Sequence, residues 1–251
     1  LRGAFDKQII NEGEILSQDA SLDLKGASIP NSGLIKAAES LKGFLDKGLV
    51  NTGQIISGGN LVLEGTATLS NNREGLIQSG GRLILKGFKK TKNALKAFIK
   101  SGTSLSIESD VIDTLGTLSA KNSLDLKTTR LQQKGILKSG DTLTLRGHTL
   151  ENVGLILAQG TLLSTFTQGV INTGDIVSEA GNLSLTGADL MNSGLLKSFK
   201  NLTGDFTQSV VNTGQVSTEK GTLSLKGTTT FNNDAEGLIS AGGSLFLTGF
   251  K

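Results

Sequence analysis

The chain has 251 residues, of which 36% are hydrophobic and 34 are glycine, so it is long enough for a sizeable core built from few apolar side chains. It has no Cys, no Trp, no Tyr and one His, His148, which excludes a disulfide scaffold, a thiolate metal site, a cysteine nucleophile and a multi-histidine metal centre. A net charge of +3 from 25 basic and 22 acidic residues gives no reason to expect nucleic acid as partner, and no apolar run approaches the roughly 18 residues of a membrane-spanning helix.

From the N-terminal end, Asn-x-Gly recurs every 20 residues at Asn11/Gly13, Asn31/Gly33 and Asn51/Gly53, and Asn71 keeps the count. Just beyond each glycine stands a branched apolar residue (Ile15, Ile35, Ile55, Ile77), and two further on a small one (Ser17, Ala37, Ser57, Ser79). Then follows a pair of apolar residues separated by one position, Leu22/Leu24, Leu61/Leu63 and Leu83/Leu85. A third alternating position falls two before the asparagine, at Ile29, Leu49 and Leu69. The period within each unit is 2, that of a half-buried strand, and Ser, Thr, Gly and Val are poor helix formers.

The stretch 88–130 is the least regular. Leu105/Ile107 and Leu124/Leu126 keep the strand pattern, with Asp113 and Gln133 expected near the asparagine positions. Phe88–Lys100 carries five lysines, Lys89, Lys90, Lys92, Lys96 and Lys100, and reads as a loop or short helix outside the stack. From 131 to 250 the grid returns at Asn152, Asn172, Asn192, Asn212 and Asn232. Coils with Phe in the middle, at Phe44, Phe166 and Phe206, alternate with others, as expected from duplication of a two-coil block. Most phenylalanines stand at positions that read as core.

One such unit cannot bury its apolar side alone, but stacked on its copies it can, each strand pairing in parallel with its equivalent one coil away. The expected fold is all-β: a single right-handed parallel β-helix of about 12 coils of 20 residues, three short strands per coil, over residues 1–251. Coils 9–87 and 131–250 are regular and 88–130 irregular. The asparagines should form an internal amide ladder at the ~4.8 Å strand spacing, and the glycine two residues on should serve a bend needing positive φ.

The pattern N-x-G-x-I-x-S-x-G-x-L-x-L-x-G, nearly intact in Asn51–Gly65 and Asn172–Gly187, resembles the repeats of filamentous-haemagglutinin-like exoproteins, which include two-partner-secreted adhesins and effectors of contact-dependent growth inhibition. The resemblance implies a filament on a Gram-negative cell surface, an outer-membrane transporter as export partner, and a target-cell receptor or glycan as binding partner. It also implies that the chain is an internal piece of a longer protein, a non-catalytic segment holding a distal binding or toxin region away from the cell.

Two other readings compete. The segment itself is the receptor-binding region, acting through Lys89, Lys90, Lys92, Lys96 and Lys100 on an anionic target. Alternatively it is a polysaccharide-cleaving β-helix, whose nearest carboxylates are Glu108, Asp110 and Asp113; the plain reading of these is a solvated face. His148 follows a bend with no nucleophile elbow in the chain, and the Ca²⁺-binding G-G-x-G-x-D pattern is missing. No catalytic residue, cofactor or metal is expected.

Overall fold

A computed structural model describes residues 2–5 and 7–251. Every regular element among the described residues is a β-strand and every strand pairing is parallel, the β-helix that the alternation and the 20-residue grid require; the coils number about twelve. The chain divides into two compact units, Leu1–Lys127 and Thr128–Lys251, with the boundary inside the stretch of least regular sequence.

In the first unit, one sheet stacks the short strands Glu14–Ser17, Leu34–Ala37, Gln54–Ser57, Leu76–Ser79, Phe98–Ser101 and Thr117–Ala120 in sequence order. The other two segments of each coil fuse into one long strand in Leu22–Asn31, Leu41–Asn51, Leu83–Asn93 and Ser104–Thr114, and stay separate in Leu61–Gly65 and Thr68–Asn71. Where they fuse, register slips of one residue at Gly26/Ser28 and Lys86/Phe88 carry the strand round the corner, the usual work of a bulge. The second unit repeats the plan, with the short strands Ile136–Ser139, Leu155–Ala158, Asp175–Ser178, Leu195–Ser198, Gln215–Thr218 and Leu238–Ala241. Its long strands are Leu143–Asn152 and Leu162–Asn172.

Lys89–Lys100 does not leave the stack. Residues 89–93 finish a long strand and 98–101 form a short one, each paired with the coils on both sides. The expected loop or helix is replaced by a regular coil because inward positions survive between the lysines: Phe88, Thr91, Asn93, Ala97 and Ile99 are buried.

The core explains why coils alternate. Three inward positions follow one another as Leu-x-Leu-x-Gly in one coil, and in the next as Leu-x-Gly-x-Leu or Leu-x-(Ser or Gly)-x-Phe. In the first unit, Leu61/Leu63/Gly65 neighbours Leu41/Gly43/Leu45. In the second, Leu143/Leu145/Gly147, Leu162/Ser164/Phe166, Leu183/Leu185/Gly187 and Leu202/Gly204/Phe206 follow in order. Each large side chain leans into the space of its small neighbour one coil away. A β-carbon on Gly43 would stand 2.7 Å from Leu63 Cδ2, one on Gly147 3.0 Å from Phe166 Cε1, and one on Gly65 would overlap the Phe88 ring. At ~4.8 Å between coils no column can stack bulky rings on each other, so volume is traded between adjacent columns to reach close packing. Burying each of these side chains contributes about 1.5–3 kcal/mol.

Only Phe88, Phe166 and Phe206 of the ten phenylalanines are fully buried, fewer than expected. Phe44 is 44% exposed because Leu45 takes the inward position of its coil. Leu245 and Leu247 continue the columns of Leu223 and Leu225 and stand exposed.

The asparagine ladder forms as expected. In the first unit each Nδ2 donates to the next Oδ1 from Asn11 through Asn31, Asn51 and Asn71 to Asn93, at 2.6–2.9 Å. In the second it runs from Asn152 through Asn172, Asn192 and Asn212 to Asn233 at 2.7 Å. Asn233 holds the last rung where the grid places Asn232, and Asn93 is a rung that the grid misses. Thr114 stands at the ladder position of its coil where Asp113 was expected, with its hydroxyl donating to Gly116 O, while Gln133 does occupy its expected place. Gln133 donates to the carbonyls of Gly135 and Leu155, so the Oδ1 of Asn152 is buried with no partner.

The Asn-x-Gly glycines serve close approach, not a special φ. A β-carbon on Gly53 or Gly174 would overlap the carbonyl oxygen of Gly33 or Gly154 in the preceding coil. Positive φ among glycines is found instead at Gly48, Gly87 and Gly249. Gly87 and Gly249 come just before Phe88 and Phe250, where their coils hold an extra residue.

Candidate interaction surface

The five lysines separate by strand. Lys89, Lys90 and Lys92 lie on Leu83–Asn93, whose partner strand Ser104–Thr114 brings Glu108, Asp110 and Asp113 alongside. Lys90 pairs with Asp113 at 3.3 Å, although Lys92 is the residue in register with it. Four residues earlier on the same strand, Lys86 pairs with Glu64 at 3.0 Å, and in the same column Lys127 pairs with Glu108 at 2.6 Å. The lysine run and the carboxylate run, read separately as an anion site and as a catalytic candidate, thus meet in one cross-strand pair, Lys90 with Asp113, while Glu108 is paired with Lys127 of the following strand. Such exposed pairs contribute about 0–1 kcal/mol each. Lys89 and Lys92 remain exposed.

Lys96 and Lys100 lie elsewhere. Lys96 sits at φ 63° in the turn 94–97, closed by an Ala97 N–H to Ala94 O hydrogen bond. Glu74, at φ 68°, holds the same place in the preceding turn, closed by Gly75 N–H to Asn72 O. Lys100 is on the short-strand sheet, its ammonium 4.4 Å from the centroid of the Phe98 ring, a cation–π contact on an outward face. The structure therefore does not gather the five lysines into one patch.

His148 is exposed on the strand Leu143–Asn152. Among the described residues no group of three or more His, Cys, Asp or Glu is placed to hold a metal ion, and no helix is long and apolar enough to cross a membrane. An open groove of about 430 Å³ in the second unit is lined by residues that include Gly169, Ile171, Ala188 and Met191.

The haemagglutinin-repeat family model matches residues 19–87, 101–187, 157–198 and 188–249. The chain belongs to the haemagglutinin-repeat family. Proteins of this family are secreted or displayed at the cell surface, and the family is a structural, adhesin-type one. The haemagglutinin-repeat matches leave out 88–100, the lysine-rich coil, which nonetheless keeps the repeat's backbone. Comparison with curated proteins and with solved structures gave no match.

One residue of the outward face was missed in the sequence. Lys36 occupies the same column as Lys100, each directly before the small residue that ends its short strand, Ala37 or Ser101. The grid contains that alignment, but a search for runs of like charge passes over a column whose members are more than 60 residues apart.

Proposed function

We propose that the chain is a non-catalytic, load-carrying segment of an extracellular two-partner-secreted adhesin or contact-dependent inhibition effector of a Gram-negative bacterium. In this reading it holds a distal binding or toxin region away from the producing cell and reaches the surface through an outer-membrane transporter. The observation that carries it is the haemagglutinin-repeat match over most of a chain whose every coil, within each unit, is spent on stacking against the next. The Asn rungs, the traded core volumes and the cross-strand ion pairs all serve that stacking, which is the economy of a repeat scaffold.

One observation favours a second reading. The family model leaves 88–100 unmatched, and Lys89 and Lys92 stand exposed there, so this segment would itself engage a receptor. Cell binding by the labelled, folded chain separates the two. The spacer reading expects no saturable binding, on bacteria or animal cells, that protease or glycosidase treatment of the cells removes. Saturable, treatment-sensitive binding lost in the double variant K89E/K92E would replace it with the receptor-binding reading.

A further inference from the structure

The outward face of the short-strand sheet in the first unit combines apolar and cationic side chains in an order that matches an amphiphilic anion. Successive strands present Leu34 and Lys36, Gln54 and Ile56, Leu76 and Gln78, Phe98 and Lys100, then Thr117 and Ser119. Register places Leu34, Gln54, Leu76 and Phe98 in one column and Lys36, Ile56, Gln78 and Lys100 in the next. No carboxylate occupies an outward position on any of these five strands, whereas the other sheet of the same unit opposes Lys86, Lys90 and Lys127 with Glu64, Asp113 and Glu108. The nearest acid in these columns is Glu14, one strand beyond Leu34. Phe98 is 37% exposed although its neighbours across the strands are Leu76 and Thr117.

We propose that this face docks on an anionic phospholipid bilayer. Leu34 and Phe98 share strands with Lys36 and Lys100, which are three strand spacings, or about 14 Å, apart, and Ile56 and Leu76 stand on the two strands between; Phe98 is exposed and the other three apolar side chains are half-buried. A lipid surface supplies both halves of the complement: phosphates for Lys36 and Lys100, and the headgroup–acyl boundary for the apolar side chains beside them. The Lys100 ammonium lies 4.4 Å from the Phe98 ring centroid, so charge and ring stand side by side at the edge of the face, as a phosphate beside the acyl boundary requires. An acidic polysaccharide fits less well, because hydroxyls that found Gln54 and Gln78 would still have to cover Leu34, Ile56, Leu76 and Phe98, which offer no hydrogen bond. The inference is independent of the spacer reading, since it concerns a membrane and not a protein or glycan receptor.

The test is co-sedimentation of the folded chain with vesicles of pure phosphatidylcholine and of phosphatidylcholine with 30% phosphatidylglycerol, a composition of about that order being enough to give an anionic surface. Binding is expected to the anionic vesicles alone, weakened by raising salt, at least tenfold lower in K36E/K100E, and reduced in F98S. All three positions face outward, so circular dichroism and melting of the variants should match the parent. The control K89E/K92E changes charge by the same amount on the other sheet and should bind as the parent does. Equal binding to both vesicle types, equal loss in the control, undiminished binding by K36E/K100E, or binding to heparin without binding to vesicles would overturn the proposal.

Discussion

Replacing one rung of the asparagine ladder tests the source of the stacking energy. Asn172 is fully buried, and its Nδ2 donates to Asn192 Oδ1 at 2.7 Å and to Leu195 O at 3.2 Å, while its Oδ1 accepts from Asn152 Nδ2 at 2.7 Å. At about 1 kcal/mol net per bond, N172A should cost about 3 kcal/mol, with Asn192 Oδ1 left buried and without its donor. N172D keeps the volume and the acceptor but removes the donor and sets carboxylate oxygen against Asn192 Oδ1. That variant should cost about 3–5 kcal/mol or more at neutral pH, the range for an uncompensated buried charge. Its deficit should shrink on acidification. The introduced carboxyl is harder to ionise folded than unfolded, so the relative loss is smallest below its unfolded pKa of about 3.9 and grows as pH rises above it. Because repeat proteins open locally, the assay is native-state hydrogen exchange read at the amides of Ser193 and Gly194, which donate to Asn172 O, alongside urea melts at pH 4 and pH 7. N172D within about 0.5 kcal/mol of the parent at pH 7, or showing no improvement at pH 4, would refute the ladder as a stabilising element.

Other perturbations probe the remaining devices. F166A empties the space above Gly147 and should destabilise by about 3–5 kcal/mol in thermal or urea melts. G174A drives a methyl into the Gly154 carbonyl and should cost about 1–3 kcal/mol, whereas Gly13, with nothing within 4 Å of an added β-carbon, should accept G13A with little change; equal effects would show that stacking distance is not what these glycines serve. Q133N shortens the side chain to the ladder length and can give Asn152 Oδ1 a donor, so a gain of about 1 kcal/mol is expected, read as slower exchange at Gly154 and Val153. Leu63→Asp places a charge among fully buried leucines and should unfold its coils, with loss of the strand circular dichroism signal.

The sequence by itself determined the fold and the identity of most core residues. In a stacked repeat every long-range neighbour sits at the same grid position one coil away, so a 20-residue period with internal alternation names the strands, their parallel pairing and the partners of Asn11, Asn31 and Asn51 together. That logic fails wherever a coil gains or loses a residue. Periodicity does not place the extra Gly87 or the residue gained between Thr218 and Leu223, and hence not the rungs that follow, which is why Thr114 and Asn233 hold places that counting gives to Asp113 and Asn232. The lysine run looked like an excursion because charge dominates its composition, yet the inward residues between the lysines were enough to keep the chain in the stack.

Only the tertiary structure decided what faces what across coils. The placing of Lys90 beside Asp113 and of Glu108 beside Lys127 puts one member of the lysine run and two of the carboxylate run into ion pairs. The alignment of Lys36 with Lys100 around Leu76 and Phe98 makes a surface from residues that no sequence window contains. The reason is geometric: local pattern fixes whether a side chain points in or out, but the chemistry of an outward face is set by register between coils, and register depends on every insertion along the chain.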